Sequence, residues 1–286
     1  MKVFAILIIV GVMIFGSLSV NAQEIEDDGY NPNSVHPIHE NDIMYKKRVW
    51  RRMDLREKQN QPFFAFNNEV TKIMIEAVMK GDLYAYQSDS LSNRYTKEQF
   101  EEQLTIPELG GGLSDEEKAL GFSEDDGWGD SGWGDEGDSD AEEQEVISDL
   151  FLPNQVNVLE IMEDIIFDKK RSRLYYDIQT IKLVLPPELF DTGLEKVVAT
   201  FRYKDLEELF RKTPHAYWFN PQNSREHKNL SDAFALRLFK ANLVKVENPE
   251  DSYIVDIYNK SPKQGIMASQ WLENEIIEYE HNLWEF

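Results

Sequence analysis

Five histidines and no cysteine bound the chemistry open to this chain. Without a thiol there is no cysteine nucleophile, no disulfide, no thiolate metal site and no cysteine to carry an acyl chain. Only His36 and His39 lie close together, in VHPIHE. With Glu40 they offer zinc donors, but Pro37 makes the segment extended and no second pair of ligands follows, so a docked loop is the plainer account. His215, Arg225 and His227 match no triad order. The chain also lacks a G-x-S-x-G elbow, a P-loop, H-E-x-x-H and a dinucleotide glycine fingerprint, and Gly110-Gly111-Gly112 has no Lys-Ser/Thr after it to cradle phosphate. These patterns assign no catalytic residue, no cofactor and no metal site.

Residue types suited to contact are more plentiful. In IMYKKRVWRRMDLREK, residues 43–58, helical spacing puts Tyr45, Val49, Trp50 and Met53 on one face and Lys47, Arg48, Arg51 and Arg52 on or near the other. The segment predicts a basic helix in an acidic protein, with Arg48, Arg51 and Arg52 as candidate interface residues for a partner, for the chain's own acidic stretch or for another copy. GWGD occurs at 127–130 and again at 132–135. Its Trp128 and Trp133 are candidate anchors for partner pockets, and its carboxylates are candidate calcium donors, although the EF-hand spacing fails. The densest aromatic region is 201–239, where Tyr217, Trp218 and Phe219 precede Asn220-Pro221; an aromatic core with a long loop is the plain reading and a carbohydrate or peptide groove the sharper one.

The elements that carry these residues follow from periodicity and charge. Helices are predicted over Asn68 to Lys80, with an Asn68 cap and Gly81 as stop, over about 156–168, over Ser231 to Ala241 with Ser231 or Asp232 as cap, and over Ser269 to Trp284. Strands are predicted at 83–87, 174–185 and 197–203, and a hairpin at 243–247 and 252–258 around Asn248-Pro249-Glu250-Asp251. KIMIEAVMKGDLYAYQ and EIMEDIIFDKKRSRLYYDIQ echo each other, which shared helix-then-strand chemistry explains as well as a repeat does. The fold class is α+β, with amphipathic helices on short, mainly antiparallel sheets. Net charge is −23 over 286 residues, which disfavours nucleic acid and anionic membrane as main partners. Ser114 to Asp149 concentrates fifteen acids against the single Lys118, so 109–149 reads as an acidic, glycine-rich, disordered insertion between an N-terminal region, 36–108, and a C-terminal region, 150–286. Residues 1–22 read as a cleavable export signal, with Lys2, an apolar run and a Val20-x-Ala22 cleavage site, followed by a disordered tail at 23–35. The expected product has no lipid anchor.

Three stretches together resemble a known family: VHPIHENDIMYKKRVWRRMDLREKQNQPFF, EVTKIMIEAVMKGDLYAY, and FRYKDLEELFRKTPHAYWFNPQNSREHKNLSDAFALRLFKANL with its following DIYN. The family is the gliding-motility GldN/PorN family of the type IX secretion system in Bacteroidota. The resemblance implies a non-enzymatic periplasmic subunit that builds a ring beneath the outer membrane with the lipoprotein GldK/PorK and is contacted by the periplasmic part of the motor protein GldM/PorM. It supplies no catalytic residues. Two other classes stay open: a periplasmic or secreted binder or enzyme using the region near Trp218, and a calcium-responsive adaptor using 124–145.

Overall fold

In the computed structural model, which describes residues 29–106, 150–190, 193–223, 225–258 and 261–283, the segment expected to be a basic helix is a strand, β1 (Ile43–Asp54). Tyr45, Val49 and Met53 recur every fourth residue, a spacing that suits one helical face and equally one face of a period-two strand. A second expected helix, at 156–168, is also a strand, β4 (Val158–Asp168). All eleven of its residues are buried. Its acids mimic the solvent face of a helix in sequence, but in space Glu160, Glu163 and Asp164 each meet a cation from outside the strand, and Asp168 accepts from the N–H groups of Lys170 and Arg171 in the turn that follows.

Strands β5 (Arg173–Leu185) and β6 (Lys196–Arg202) form where aromatic and β-branched residues predict them. Strand β9 (Asn242–Val246) matches the first arm of the expected hairpin, but the second arm does not form. β9 pairs with β1, and the chain after the Asn248 turn enters the short helix α5 (Ile254–Ile257), whose Ile254 packs into a core cluster with Ala268 and Ile276. The sheet order is β6-β5-β4-β1-β9, antiparallel throughout. β1 precedes the acidic stretch and its neighbours follow it, so one sheet draws on both regions. The expected strand at 83–87 is reduced to bridges from Tyr86 to Arg94 and Thr200.

Helix α1 (Val70–Lys80) ends at Gly81, φ 86°, the left-handed position that favours glycine. Its cap is Glu69, and the Asn68 side chain instead donates to the Tyr217 carbonyl at 3.1 Å. Helix α2 (Lys97–Leu104) starts with a Thr96/Gln99 capping box. Helix α3 (Tyr203–Lys212) occupies part of the aromatic region and buries Tyr203, Leu206 and Phe210 at helical spacing. Helix α4 (Leu230–Ala235) stops well short of residue 241 because Arg237 adopts φ 52°, and it is capped by Asn229 instead of Ser231 or Asp232. Helix α6 (Pro262–Leu283) starts earlier than expected, at a proline, which suits a first turn. The described residues also form two small two-stranded sheets, β2 (Phe64–Ala65) with β3 (Asn68–Glu69), and β7 (Tyr217–Trp218) with β8 (Lys228–Asn229). The sequence echo does not persist, since its first copy is α1 and its second lies in β4 and β5.

Met53, Leu159, Ile161 and Phe201 of the sheet pack with Met74, Leu206, Phe210 and Phe234 of the helices in the larger core cluster. Each such fully buried side chain contributes about 1.5–3 kcal/mol. A smaller cluster joins Val49, Ile165 and Leu243 to Ile254, Ala268 and Ile276. Among the described residues no helix is long and apolar enough to cross a membrane. The predicted export signal, Trp128, Trp133 and the candidate calcium stretch lie outside the described residues.

Candidate interaction surfaces

Because β1 is a strand, its side chains alternate, and the expected separation of apolar from basic residues is broken. Val49, Arg51 and Met53 share one face, opposite Glu163, Ile161 and Leu159 of β4; Arg48, Trp50 and Arg52 share the other. On the first face Arg51 Nε donates to Glu163 at 2.6 Å and Nη1 to Glu273 of α6 at 2.6 Å. Arg237 reaches the same fully buried Glu163 at 2.5 Å and lies over the Tyr176 ring at 4.3 Å. Burial pulls the Arg51 pKa down, but the two carboxylates more than offset this and hold it above its ordinary value. An Arg-Glu-Arg group centred on the buried Glu163 therefore joins β1, β4 and the stop of α4.

The opposite face is also matched internally. Arg48 grips Asp164 with two bonds, 2.7 and 3.0 Å, and Lys46 meets the same carboxylate at 3.1 Å. The Trp50 indole donates to Asp89 at 3.0 Å and carries the Lys245 ammonium 4.2 Å from its ring centre. Lys182 bridges Glu160 and Asp89 at 2.8 and 3.1 Å. Arg52 pairs with Glu195. Arg48 and Arg52 keep about one third of their side chains exposed, whereas Arg51 keeps 7%.

The aromatic region divides between core and surface. Phe210 and Phe234 stack inside, while Tyr217 and Phe219 clasp the His227 ring between them, each 5.0 Å away. His227 Nδ1 accepts from the Asn220 N–H at 3.1 Å, which fixes the loop. His215 shares a cavity of about 490 Å³ with Glu76 and Asp82. No hydrogen bond among the described residues joins its ring to either acid. His39 packs edge-on against Tyr30 at 4.9 Å and caps Asn41, the behaviour of a docked loop. Among the described residues no group of three or more His, Asp or Glu is placed to hold a metal.

Three features escape sequence periodicity. Phe66, at the tip of the β2-β3 hairpin, is 96% exposed, with Asn67 beside it at φ 62°; an aromatic residue before Asn-Asn was its one sequence signal. Among the described residues, nine of the nineteen exposed large apolar ones lie from Tyr253 to Tyr279, including Ile266, Met267, Trp271 and Ile277 on the outward side of α6. Lys169, Lys170, Arg171 and Arg173 stand exposed at the β4-β5 turn, and the run KKRSR announces them plainly.

This is an α+β protein whose sheet mates its own charges and whose surface carries rings, an apolar helix face and a cationic turn. Residues 38–285 match the family described as gliding motility associated protein GldN, and the chain belongs to that family. The family is one of gliding-machinery components and not a known enzyme family. A comparison with curated proteins gives no match.

Proposed function

We propose that this chain is a non-enzymatic periplasmic subunit of the type IX secretion and gliding machinery, held at the inner face of the outer membrane by its partners. In this reading it associates with further copies of itself and with the lipoprotein GldK/PorK in a ring, and the periplasmic part of GldM/PorM contacts that ring. The family match over residues 38–285 carries the reading. The apolar outer side of α6 supports it, because contiguous exposed apolar residues mark protein contacts more often than bare surface. The exposed cations at 169–173 and the outward Arg48 and Arg52 supply polar contacts at such an interface, and Arg51 supports them from inside the sheet.

Purification of the tagged chain from native membranes, followed by electron cryo-microscopy, tests the assignment. Co-purification with the lipoprotein and the motor's periplasmic part in a large ring is expected. A small monomer lacking both overturns it. Charge reversal at Arg48 and Arg52 is expected to weaken assembly in a salt-sensitive way, and unchanged assembly removes these two residues from the interface.

A peptide-binding role is a second reading, favoured by one observation: Phe64, Phe66, Tyr217 and Phe219 line a single open groove of about 830 Å³. The two readings are compatible.

A further inference from the structure

Phe66 does not stand alone on the surface. Its ring forms the common rim of three depressions, of which the largest, about 830 Å³, is walled by Phe64, Phe66, Tyr217, Phe219 and two prolines. The walls are preorganised: His227 holds Tyr217 and Phe219 apart, and the Phe219 N–H bonds the Pro62 carbonyl at 2.9 Å. Arg56 and Lys58 line the same groove. Arg56 is engaged with Asp54 and Glu188, while Lys58 is exposed and has no acid within ion-pair distance among the described residues. An aromatic trough with a cationic rim suits a flat apolar side chain next to a carboxylate.

The chain carries that combination twice, in Gly127-Trp128-Gly129-Asp130 and Gly132-Trp133-Gly134-Asp135. The smaller depression beside Phe66 is lined by Leu152 and Pro153, only a few residues after the chain re-enters the described fold at Leu150. Trp133 precedes Leu150 by roughly 17 residues, a tether that spans up to about 60 Å when extended and about 23 Å as a flexible coil. A tether of that length raises the local concentration of the motif to the millimolar range, favouring the chain's own copy over a neighbour's.

We propose that the groove between Phe66 and Phe219 is the docking site of this chain's own Gly-Trp-Gly-Asp repeats. A tryptophan ring enters against the two phenylalanines, its flanking glycines leave room for the entry, and the following aspartate meets Lys58. The proposal goes beyond the assembly reading and does not rest on it.

Photo-crosslinking in the full chain tests it, with Phe66→p-benzoylphenylalanine as the probe and mass spectrometry to map the product. The expected product is intramolecular, maps to residues 124–138 and forms in a yield unaffected by dilution. Trp128→Ala with Trp133→Ala should lower the yield at least about tenfold. Asp130→Asn with Asp135→Asn, which keeps both rings, should lower it about threefold. Circular dichroism of each variant checks that the fold is retained. Products mapping elsewhere, a yield that survives loss of both tryptophans, or a dimer-sized product that fades on dilution would each overturn the proposal, the last by assigning the groove to a second copy.

Discussion

The sheet around β1 and β4 and the groove around Phe66 each place residues against the usual rule for their type. The first buries charges, and the second exposes rings. Glu163, Asp164 and Glu160 lie inside, yet every one is met by one or more cations within about 3 Å, in keeping with the cost of burying an unpaired charge. Phe66, by contrast, has almost no cover from the described residues. The difference teaches where to look for function: charges that find all their partners at home serve the fold, while rings left without cover are free to serve contacts.

The largest effect that can break this comparison is at Glu163. Glu163→Ala leaves Arg51 and Arg237 without their shared carboxylate, and a loss of about 3–5 kcal/mol is expected from the uncompensated buried charge. Chemical denaturation measures it. A loss under about 1 kcal/mol would mean that the buried pair is not structural. Arg237→Ala is expected to cost less, about 1.5–3 kcal/mol, for the lost charge-assisted bonds. Arg237→Gly should recover about 1 kcal/mol of that, since φ 52° suits glycine; equal midpoints for the two variants would show that the left-handed backbone there carries no strain.

At the other region the expectation is near zero. Phe66→Ser should shift stability by no more than about 0.5 kcal/mol, as for an exposed site away from any cap or core contact. A larger destabilisation would place Phe66 with the fold and erase the contrast.

How much of this is legible without coordinates can be judged from α1 and β4. Both show apolar residues at i, i+3 and i+4, but α1 also has a terminating Gly81, whereas the β4 segment has no glycine stop. That missing stop was the available warning, since β-branched residues are no rarer in α1 than in β4. The acids of β4 read as solvent-facing because their partners, Arg51, Arg48, Lys182 and Arg237, lie far away in sequence, and periodicity is a local measure. For the same reason the three arginines of β1 were visible as a cluster, but not that Arg51 turns inward while Arg48 and Arg52 keep about one third of their side chains exposed. The α+β class, β5, β6 and the glycine stop were legible because local chemistry decides them. Arg237 was not, because an arginine in a position that favours glycine makes sense only once Glu163 and Tyr176 are seen beside it.

A pH-dependent effect lies where the two kinds of region meet. Tyr45, on β1, is half-buried with its ring 4.6 Å from that of Tyr279 on α6. Burial, then the neighbouring Tyr279 and Glu275, push its phenol from 10.0 up to about 12. The folded chain thus holds this proton more tightly than the unfolded chain does. Its contribution is fully present below pH 10, and stability is lost as pH rises from about 10 to 12, where the unfolded chain ionises first. Tyr45→Phe removes that proton from the balance, so the denaturation midpoint of the variant should fall less steeply over this window than that of the parent chain, with the two curves running parallel below pH 9. Parallel curves up to pH 12 would instead mean that the Tyr45 hydroxyl is as open to water as in the unfolded chain, and that α6 does not seal this end of the sheet.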